Sequence, residues 1–309
     1  MSNRTLDAGL DKWGGNVDVT GSYFFSTSDN NSLQENLRQS FYAFPGSLDS
    51  TAIMNETSTS FNRNQNHRFN MRMEYYIDSN NSLLFTPSVT FQHSESNSYD
   101  TSFTNATLGA GKPYLASINS SLNSNERDGF NLNSNLLYRR KFGKIGRTLT
   151  IGWQNNTSSS DGNGRNLSAL NLFDSLANEI HNEYQNLRTT QKTRTNNNNI
   201  STSYTEPIGL NKLLEFNYAY TNRHTTSEKE AHNFNPVNGK YDQINASQTN
   251  QFENDFIAHR GGANFRVQKP KYNFQLGGAV EFSELTSHSK SLQPLRDTTI
   301  SQQFVNFFP

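Results

Sequence analysis

The segment Tyr75–Gln92 reads YYIDSNNSLLFTPSVTFQ and places a polar turn, DSNNS, between two stretches that carry aromatic and aliphatic residues. Before the turn, apolar side chains occupy every second position, and the positions between them are mostly charged or amide-bearing. After the turn, Phe85, Val89 and Phe91 alternate with hydroxyl and amide residues. A period of two indicates strands with two different faces. The segment therefore predicts a β-hairpin.

The same alternation recurs along the chain, and short turns separate its occurrences. It is found at Val17–Phe25, Phe130–Tyr138, Leu149–Trp153, Leu214–Tyr220 and Tyr272–Phe282, and more weakly at Leu6–Leu10, Ile200–Tyr204 and Ile257–Val267. We predict about ten strands from this period. The short turns are DKWGG (11–15), DSNNS (78–82), FGKIG (142–146), EPIGLNK (206–212) and QKPK (268–271).

Long polar stretches rich in Ser, Asn and Thr lie between consecutive short turns. Asn155–Asn166 and Arg223–Asn250 are examples, and we predict that they are loops of about 20–40 residues, as at the long-loop end of an outer-membrane barrel. Leu167–Leu187 also fits an amphipathic helix, but between two strands a loop is the favoured interpretation. The predicted unit is a short turn, an outgoing strand, a long polar loop and a returning strand.

The composition combines a polar chain with many aromatic residues. Hydrophobic residues make up 32% of the 309 residues, and the mean hydropathy is −0.82. Aromatic residues nevertheless make up 12%, which argues against disorder. Lys and Arg number 27, as do Asp and Glu, so no basic footprint for nucleic acid is present. The chain has no cysteine, and MSNRTLDAGLDKW lacks the apolar core of a signal peptide.

These features favour an all-β, antiparallel transmembrane β-barrel. In such barrels short turns lie at one end and long loops at the other, the outer face is apolar with aromatic girdles, and the lumen is polar. Lipid covers one face, so no apolar interior is needed. A soluble β-sandwich is the alternative, but its connections are usually short at both ends.

The alternation assigns residues to the two faces of the barrel. The residues predicted to face lipid are Phe69, Met71, Met73, Tyr75, Phe85, Val89, Leu149, Ile151, Trp153, Phe216, Tyr218, Phe274 and Leu276. The residues predicted to face the lumen are Arg68, Arg72, Glu74, Arg139, Glu215, Arg266 and Glu281. Lining a wet interior is the commoner role of such charged residues, although they could also contact a plug or a solute.

The strand directions add an expectation about the ends of the chain. If residues 3–10 run toward the first short turn and the last strand runs away from the fifth, Met1 and Pro309 both lie on the long-loop side. Complete bacterial barrels normally have both ends on the other side. We therefore expect residues 1–309 to be part of a single barrel domain, without its plug or signal peptide.

Several stretches resemble a known family. SNRTLDAGLDKWGGNVDVTGSYFFSTSDNNSLQENLRQSF, NHRFNMRMEYYIDSNNSLLFTPSVTFQ and the closing FVNFFP look like the outer-membrane β-barrel proteins of Bacteroidota, which are similar to TonB-dependent receptors. The resemblance implies a barrel of about 22 strands that holds a plug and is powered by an inner-membrane TonB complex. It also implies integral location in the outer membrane, in contact with lipid. It supplies no catalytic motif.

No enzymatic or cofactor chemistry is indicated by the spacing of the residues. The seven His residues are scattered, and no Ser/His/Asp set is identifiable. Asp161–Asn166 (DGNGRN) faintly resembles a calcium loop but lacks the downstream acidic ligand, so a solvated loop tip is favoured. We therefore expect neither an enzyme nor a bound cofactor or metal.

Three hypotheses for the function follow. The leading one is part of a receptor that imports a bulky nutrient with TonB energy. The second is a non-transporting surface barrel or adhesin whose long loops bind a partner. The third is a soluble, glycan-binding β-sandwich.

Overall fold

The computed structural model describes the backbone of residues 2–13, 15–43 and 50–309, and the side chains of residues 15–43 and 50–309. The structure is all-β. Its strands are β1 (Ser2–Trp13), β2 (Val17–Tyr42), β3 (Ser50–Tyr76), β4 (Asn81–Leu108), β5 (Tyr114–Lys141), β6 (Thr148–Phe173), β7 (Glu179–Gly209), β8 (Lys212–Asn235), β9 (Lys240–Ile244), β10 (Asn250–Lys269), β11 (Tyr272–Leu292) and β12 (Leu295–Phe308).

All twelve strands belong to one antiparallel sheet. Neighbours in the sheet follow chain order from β1 to β8 and then through β10, β11 and β12, while the short β9 pairs with the distal end of β8. Over the described ranges, no second sheet packs against this one, so the predicted β-sandwich alternative is wrong. The sheet is not closed, because no pairing joins β1 to β12. No helix long and apolar enough to cross a membrane is found in the described part of the chain.

The predicted short turns are confirmed. Strands β1 and β2 are separated by residues 14–16, and the next four short connections are residues 77–80, 142–147, 210–211 and 270–271. Each falls on or beside the predicted turn. Asn211 adopts a left-handed conformation with φ of 59°, which a two-residue turn requires and asparagine tolerates better than most residues.

The predicted long loops are wrong, because those stretches are strands. Asn155–Asn166 lies within β6, and Arg223–Asn250 contains the distal half of β8, all of β9 and the start of β10. The strands β2–β7 contain 26–31 residues each. At about 3.3 Å per residue, a strand of this length reaches roughly 90 Å. An apolar membrane band is only about 25 Å tall, so the sheet continues well beyond it.

The segment Leu167–Leu187 is neither a helix nor a long loop. It contains the end of β6, a tight turn at residues 174–178 and the start of β7. Within the described residues, the other distal connections are also short, such as residues 109–113 and 293–294. A single register between β6 and β7 runs up to Leu172. The residues that fit an amphipathic helix are therefore paired in the sheet.

The end of the chain also differs from the prediction. After β11 runs away from the short turns, the chain reverses at residues 293–294 and β12 returns alongside it. Phe308 pairs with Ala279, so Pro309 lies on a strand that heads toward the short-turn side. The expected position of Met1 lies outside the described residues.

The register separates the sheet into two faces of different chemistry. Directly opposed residues share a face. One cross-strand row consists of Val19, Met73, Phe85, Leu136, Trp153, Ile200, Tyr220, His259, Phe282 and Val305. A row of the other face consists of Ser22, Asn70, Ser88, Asn133, Asn156, Asn197, Arg223, Phe256, Leu285 and Gln302. We call these the apolar face and the polar face.

The sheet has almost no buried core. Among the described residues, the buried apolar side chains are Leu187, Ala231 and Ala258, and no large side chain is fully buried. Phe69, Phe216 and Leu276 expose 47%, 49% and 65% of their surface. A water-soluble chain rarely exposes an apolar surface this extensive. The apolar face therefore needs a non-aqueous neighbour.

The short turn at residues 77–80 predicts a pH dependence. The Asp78 carboxylate accepts hydrogen bonds from the backbone N–H of Asn80 (2.7 Å) and of Asn81 (2.9 Å), and these bonds lower the pKa of Asp78. A lowered carboxyl pKa means that the stabilisation is present above the ordinary pKa and is lost as the pH falls through the lowered one. We expect the protection of both amides, measured against the intrinsic exchange rate at each pH, to fall on acidification, and Asp78→Ala to remove this pH dependence. A variant whose protection still falls in the same way would contradict this assignment.

The same added charge is expected to destabilise the protein on the apolar face but not on the polar face. Met71→Arg places a cation in the middle of the apolar band and should cost roughly 2–4 kcal/mol of folding free energy if that band contacts lipid. Asn70→Arg is the matched control, because it places the same side chain one residue away on the polar face. Denaturant unfolding in detergent or lipid measures both. Equal costs would refute the face assignment.

Candidate binding site on the polar face

All residues predicted to face lipid lie on the apolar face, and all those predicted to face the lumen lie on the polar face. The first set is connected by the register through pairs such as Phe69–Val89, Met73–Phe85 and Leu149–Tyr204. The second set is connected through rows such as Arg68–Thr90–Asn131. The structure thus shows two opposite faces, while contact with lipid or with a lumen stays a prediction.

The predicted lumenal residues are only partly brought together. Arg72 Nη2 lies 2.6 Å from a Glu74 carboxylate oxygen, and Arg139 Nη1 lies 3.7 Å from the other oxygen. The Glu74 side chain is the least exposed of the three, at 13%. Arg266 instead donates to Gln275 Oε1 at 3.0 Å. Glu215, Glu281 and Arg68 lie apart from this cluster, so it is a local ion network beside the short turns.

Next to this network, in the direction away from the short turns, the polar face carries cations and no anions. The rows through Asn70, Arg68, Asn66, Asn64 and Asn62 contain no Asp or Glu between β2 and β12. Their cations are Arg68, Arg127, Arg223, Lys229 and Arg296. Among the residues whose side chains are described, none of these cations has a carboxylate within 4.0 Å. We call this set of rows the cationic belt.

The apolar face carries the opposite charge beyond its apolar band. Its acidic residues in the corresponding part of the sheet are Asp29, Glu95, Glu126, Asp128, Asp161, Glu228, Glu230, Glu253, Asp255 and Asp297. Two of the arginines there are paired with carboxylates, since Arg63 contacts Asp29 at 2.9 Å and Arg194 contacts Asp161 at 2.9 Å. The net charge of the chain is zero, but in this part of the sheet the polar face is positively charged and the apolar face is negatively charged.

A hollow opens in the cationic belt over two glycines of β6. Gly162 and Gly164 share the polar face, and the absence of their side chains leaves a cavity of about 310 Å³. Polar side chains from β4, β5 and β7 line it: Ser94, Ser96, Asn125, Arg127, Thr189 and Gln191. Glu126 and Asn163 also border it, but their side chains lie on the apolar face. This volume falls at the lower end of the range for small-molecule pockets. The hollow lies beyond the row of Phe91 and Phe130, where the apolar band ends.

The two glycines differ in the space that surrounds the position of a Cβ atom. A Cβ on Gly164 would lie 2.6 Å from Thr189 Oγ1 and 2.8 Å from Asn125 Oδ1, so these side chains converge over the missing atom. A Cβ on Gly162 would meet its nearest atom, the Glu126 carbonyl oxygen, at 3.7 Å. Gly164 therefore permits a close approach of neighbouring polar groups, whereas a Cβ on Gly162 would meet its neighbours at ordinary van der Waals distances.

Arg127 supplies the charge of the hollow. It pairs with Gly162 across β5 and β6, and its Nε lies 4.0 Å from the position that a Gly162 Cβ would take. Its side chain is exposed and has no carboxylate partner among the described residues. In the adjacent row, Ser160 Oγ is buried without a hydrogen-bond partner. A guanidinium beside hydroxyl and amide groups can bind a carboxylate or phosphate with two parallel hydrogen bonds.

The sequence interpretation of Asp161–Asn166 as a loop tip is wrong. The segment lies inside β6, where Gly162 and Gly164 share the polar face and Asp161 and Arg165 lie on the other. The hollow could have been predicted from the alternation of side chains along β6, in which even-numbered residues share one face. Gly152, Gln154 and Asn156 have the parity of the two glycines, so continuing the alternation from Leu149–Trp153 would have placed them correctly. Arg127 carries the same information on β5 but is absent from the predicted lumenal residues.

The structure also brings together three potential metal ligands. Ligand atoms of His224, Glu253 and Asp255 lie within 4.8 Å of one another on the apolar face. His224 Nδ1 already forms a 2.7 Å hydrogen bond with the Asp255 carboxylate. That pair explains the grouping without a metal.

The two glycines predict different responses to alanine. Glycine inside a strand is destabilising by roughly 0.5–1 kcal/mol relative to alanine. Gly162→Ala has room for its Cβ and should gain about this much free energy of unfolding. Gly164→Ala must displace Thr189 and Asn125, and it should gain less or lose stability. Urea unfolding in detergent compares them, and identical gains would argue against the close approach at Gly164.

The comparison with protein families agrees with this architecture. A family model described as "Outer membrane protein beta-barrel family" matches residues 140–309, which is more than half of the chain. Among solved structures, the outer membrane protease OmpT from Escherichia coli is similar over 96% of this chain and 95% of that one. The identity is 9% and the TM-score is 0.26, so this likeness carries no functional argument. No curated protein matches the chain.

Proposed function

Since the chain belongs to the outer membrane protein beta-barrel family and is an integral outer-membrane protein, we propose that it forms part of the wall of a receptor that imports a bulky nutrient with TonB energy. One observation supports the wall of a barrel with a wet lumen, while import with TonB energy is proposed from the resemblance of the sequence. The row of Asn70, Ser88, Asn133, Asn156 and Asn197 lies one residue from the apolar row of Val89 and Leu132. A polar surface at that depth needs water on its side of the sheet.

The side-chain bonds on the polar face support a wet lumen. Ser88 donates to Asn70 Oδ1 at 2.8 Å, Asn199 donates to Thr221 at 2.8 Å, and Asn156 donates to Asn133. These are cross-strand links between exposed or part-buried groups, and they leave other donors and acceptors free for solvent or solute. Outer-membrane barrels combine such a polar interior with an apolar exterior.

The edges of the sheet support a larger barrel. β1 and β12 both run toward the short-turn side, because the sheet has an odd number of antiparallel positions from one edge to the other. Pairing them would create a parallel contact, so antiparallel closure takes an odd number of further strands. Unpaired backbone groups facing hydrocarbon cost several kcal/mol each. The proposed partners are therefore further barrel strands, outer-membrane lipid, and a plug that contacts the TonB complex.

In the described part of the chain, the structure does not contain the long loops on which the adhesin hypothesis was based. Its binding loops were the long polar stretches, and the structure places these in strands joined by short distal connections. No catalytic constellation is proposed for the chain.

Gene deletion tests the proposal in the source organism. A deletion strain and a strain with a disrupted TonB gene are grown on a panel of glycans, peptides and metal chelates as sole nutrient sources. A nutrient whose use is lost in both strains supports energised import. A nutrient lost only on gene deletion would indicate a passive pore, and normal growth on every nutrient would overturn import. Complementation with the full-length gene is the control.

A further inference from the structure

Within the proposed import function, on which this inference rests, we propose that the hollow over Gly162 and Gly164 binds an anionic group of the solute, a carboxylate or a phosphate, through Arg127. The ligand class follows from the surroundings of Arg127. Two surface arginines of the apolar face are neutralised by neighbours, Arg63 by Asp29 and Arg194 by Asp161. Arg127 has no such neighbour among the described residues, although it lies on the same sheet.

The shape of the hollow adds the second part of the argument. Arg127 stands opposite a residue without a side chain, and it is exposed at the lining of the hollow. Around that space, Ser94, Ser96, Asn125 and Gln191 present hydroxyl and amide groups. Hydroxyls and amide N–H groups can complete the coordination of an oxyanion held by a guanidinium fork.

The cationic belt adds the third part. Lys229 lies in the same row as Arg127, three strands away, and Arg68 lies two strands away and four residues along, so both are roughly 15 Å from it. No carboxylate of the polar face in these rows, between β2 and β12, competes with an incoming anion. Charges of one sign lining a surface raise the local concentration of the opposite ion. An uncharged solute would gain nothing from this arrangement.

Calorimetric titration of the full-length protein in detergent tests the proposal. The probes are citrate and pyrophosphate, with maltose as the uncharged probe, all at one fixed ionic strength. We expect both anions to bind and maltose not to bind. Arg127→Gln should weaken anion binding roughly tenfold, because a charged hydrogen-bond partner is lost. Arg127→Lys keeps the charge but loses the planar fork, so the affinity of this variant for the anions should lie between those of the unchanged protein and of Arg127→Gln.

Lys192→Gln is the matched control. Lys192 follows Gln191 on β7, is exposed like Arg127, and lies on the apolar face, so its removal changes the net charge equally. Anion binding that is unchanged in Arg127→Gln, or that falls equally in Lys192→Gln, would overturn the anion site. So would binding of maltose as tight as that of citrate.

The outcomes separate this inference from the proposed function. If the deletion strain grows normally on every nutrient but the purified protein binds citrate through Arg127, import fails and the anion site stands. If import is lost on deletion but Arg127→Gln imports and binds anions normally, import stands and the anion site fails.

Discussion

The requirement that each backbone N–H and C=O find a partner within the sheet determines this structure. In hydrocarbon no water can satisfy those groups, so a chain crosses with strands only if neighbouring strands pair throughout. The antiparallel ladder from β1 to β12 meets that requirement everywhere between its two outer edges, with almost no apolar core. It frees the side chains to adapt each face to its own surroundings. A chain with 32% hydrophobic residues can therefore form a membrane protein.

Pairing also fixes which residues share a face, and this links the distant parts of the sheet. A one-residue slip would move an entire strand's apolar set to the other face. Tight turns at both ends limit such slips: Asp78 accepts two backbone N–H groups in one turn, and Asp174 does the same in a distal turn. With the register set, the glycines of β6 and Arg127 of β5 meet on the polar face. The hollow is thus a consequence of the register.

The parts of the fold that sequence could predict are those where the two faces differ in hydrophobicity. The hairpin at Tyr75–Gln92 alternates between apolar and polar residues, so its strands, turn and faces were all predictable. In Asn155–Asn166 neither face carries an apolar side chain, so the alternation of the strand leaves no period of two in the hydropathy. Polar strands are stabilised there by pairing with neighbours that sequence alone does not identify. The same loss of contrast explains why the strands were predicted too short.

The candidate site could not be predicted for a related reason. Arg127 is flanked by Glu126 and Asp128 in sequence, and this run reads as a mixed, self-neutralising charge cluster. In the strand, alternate side chains leave on opposite sides, so the carboxylates of Glu126 and Asp128 lie on the apolar face and Arg127 alone lies on the polar face. The local sequence is acidic on balance, while the surface that Arg127 reaches is cationic. Charge along the chain therefore says little about charge across a sheet, and a neutral barrel wall can still present a selective surface to its lumen.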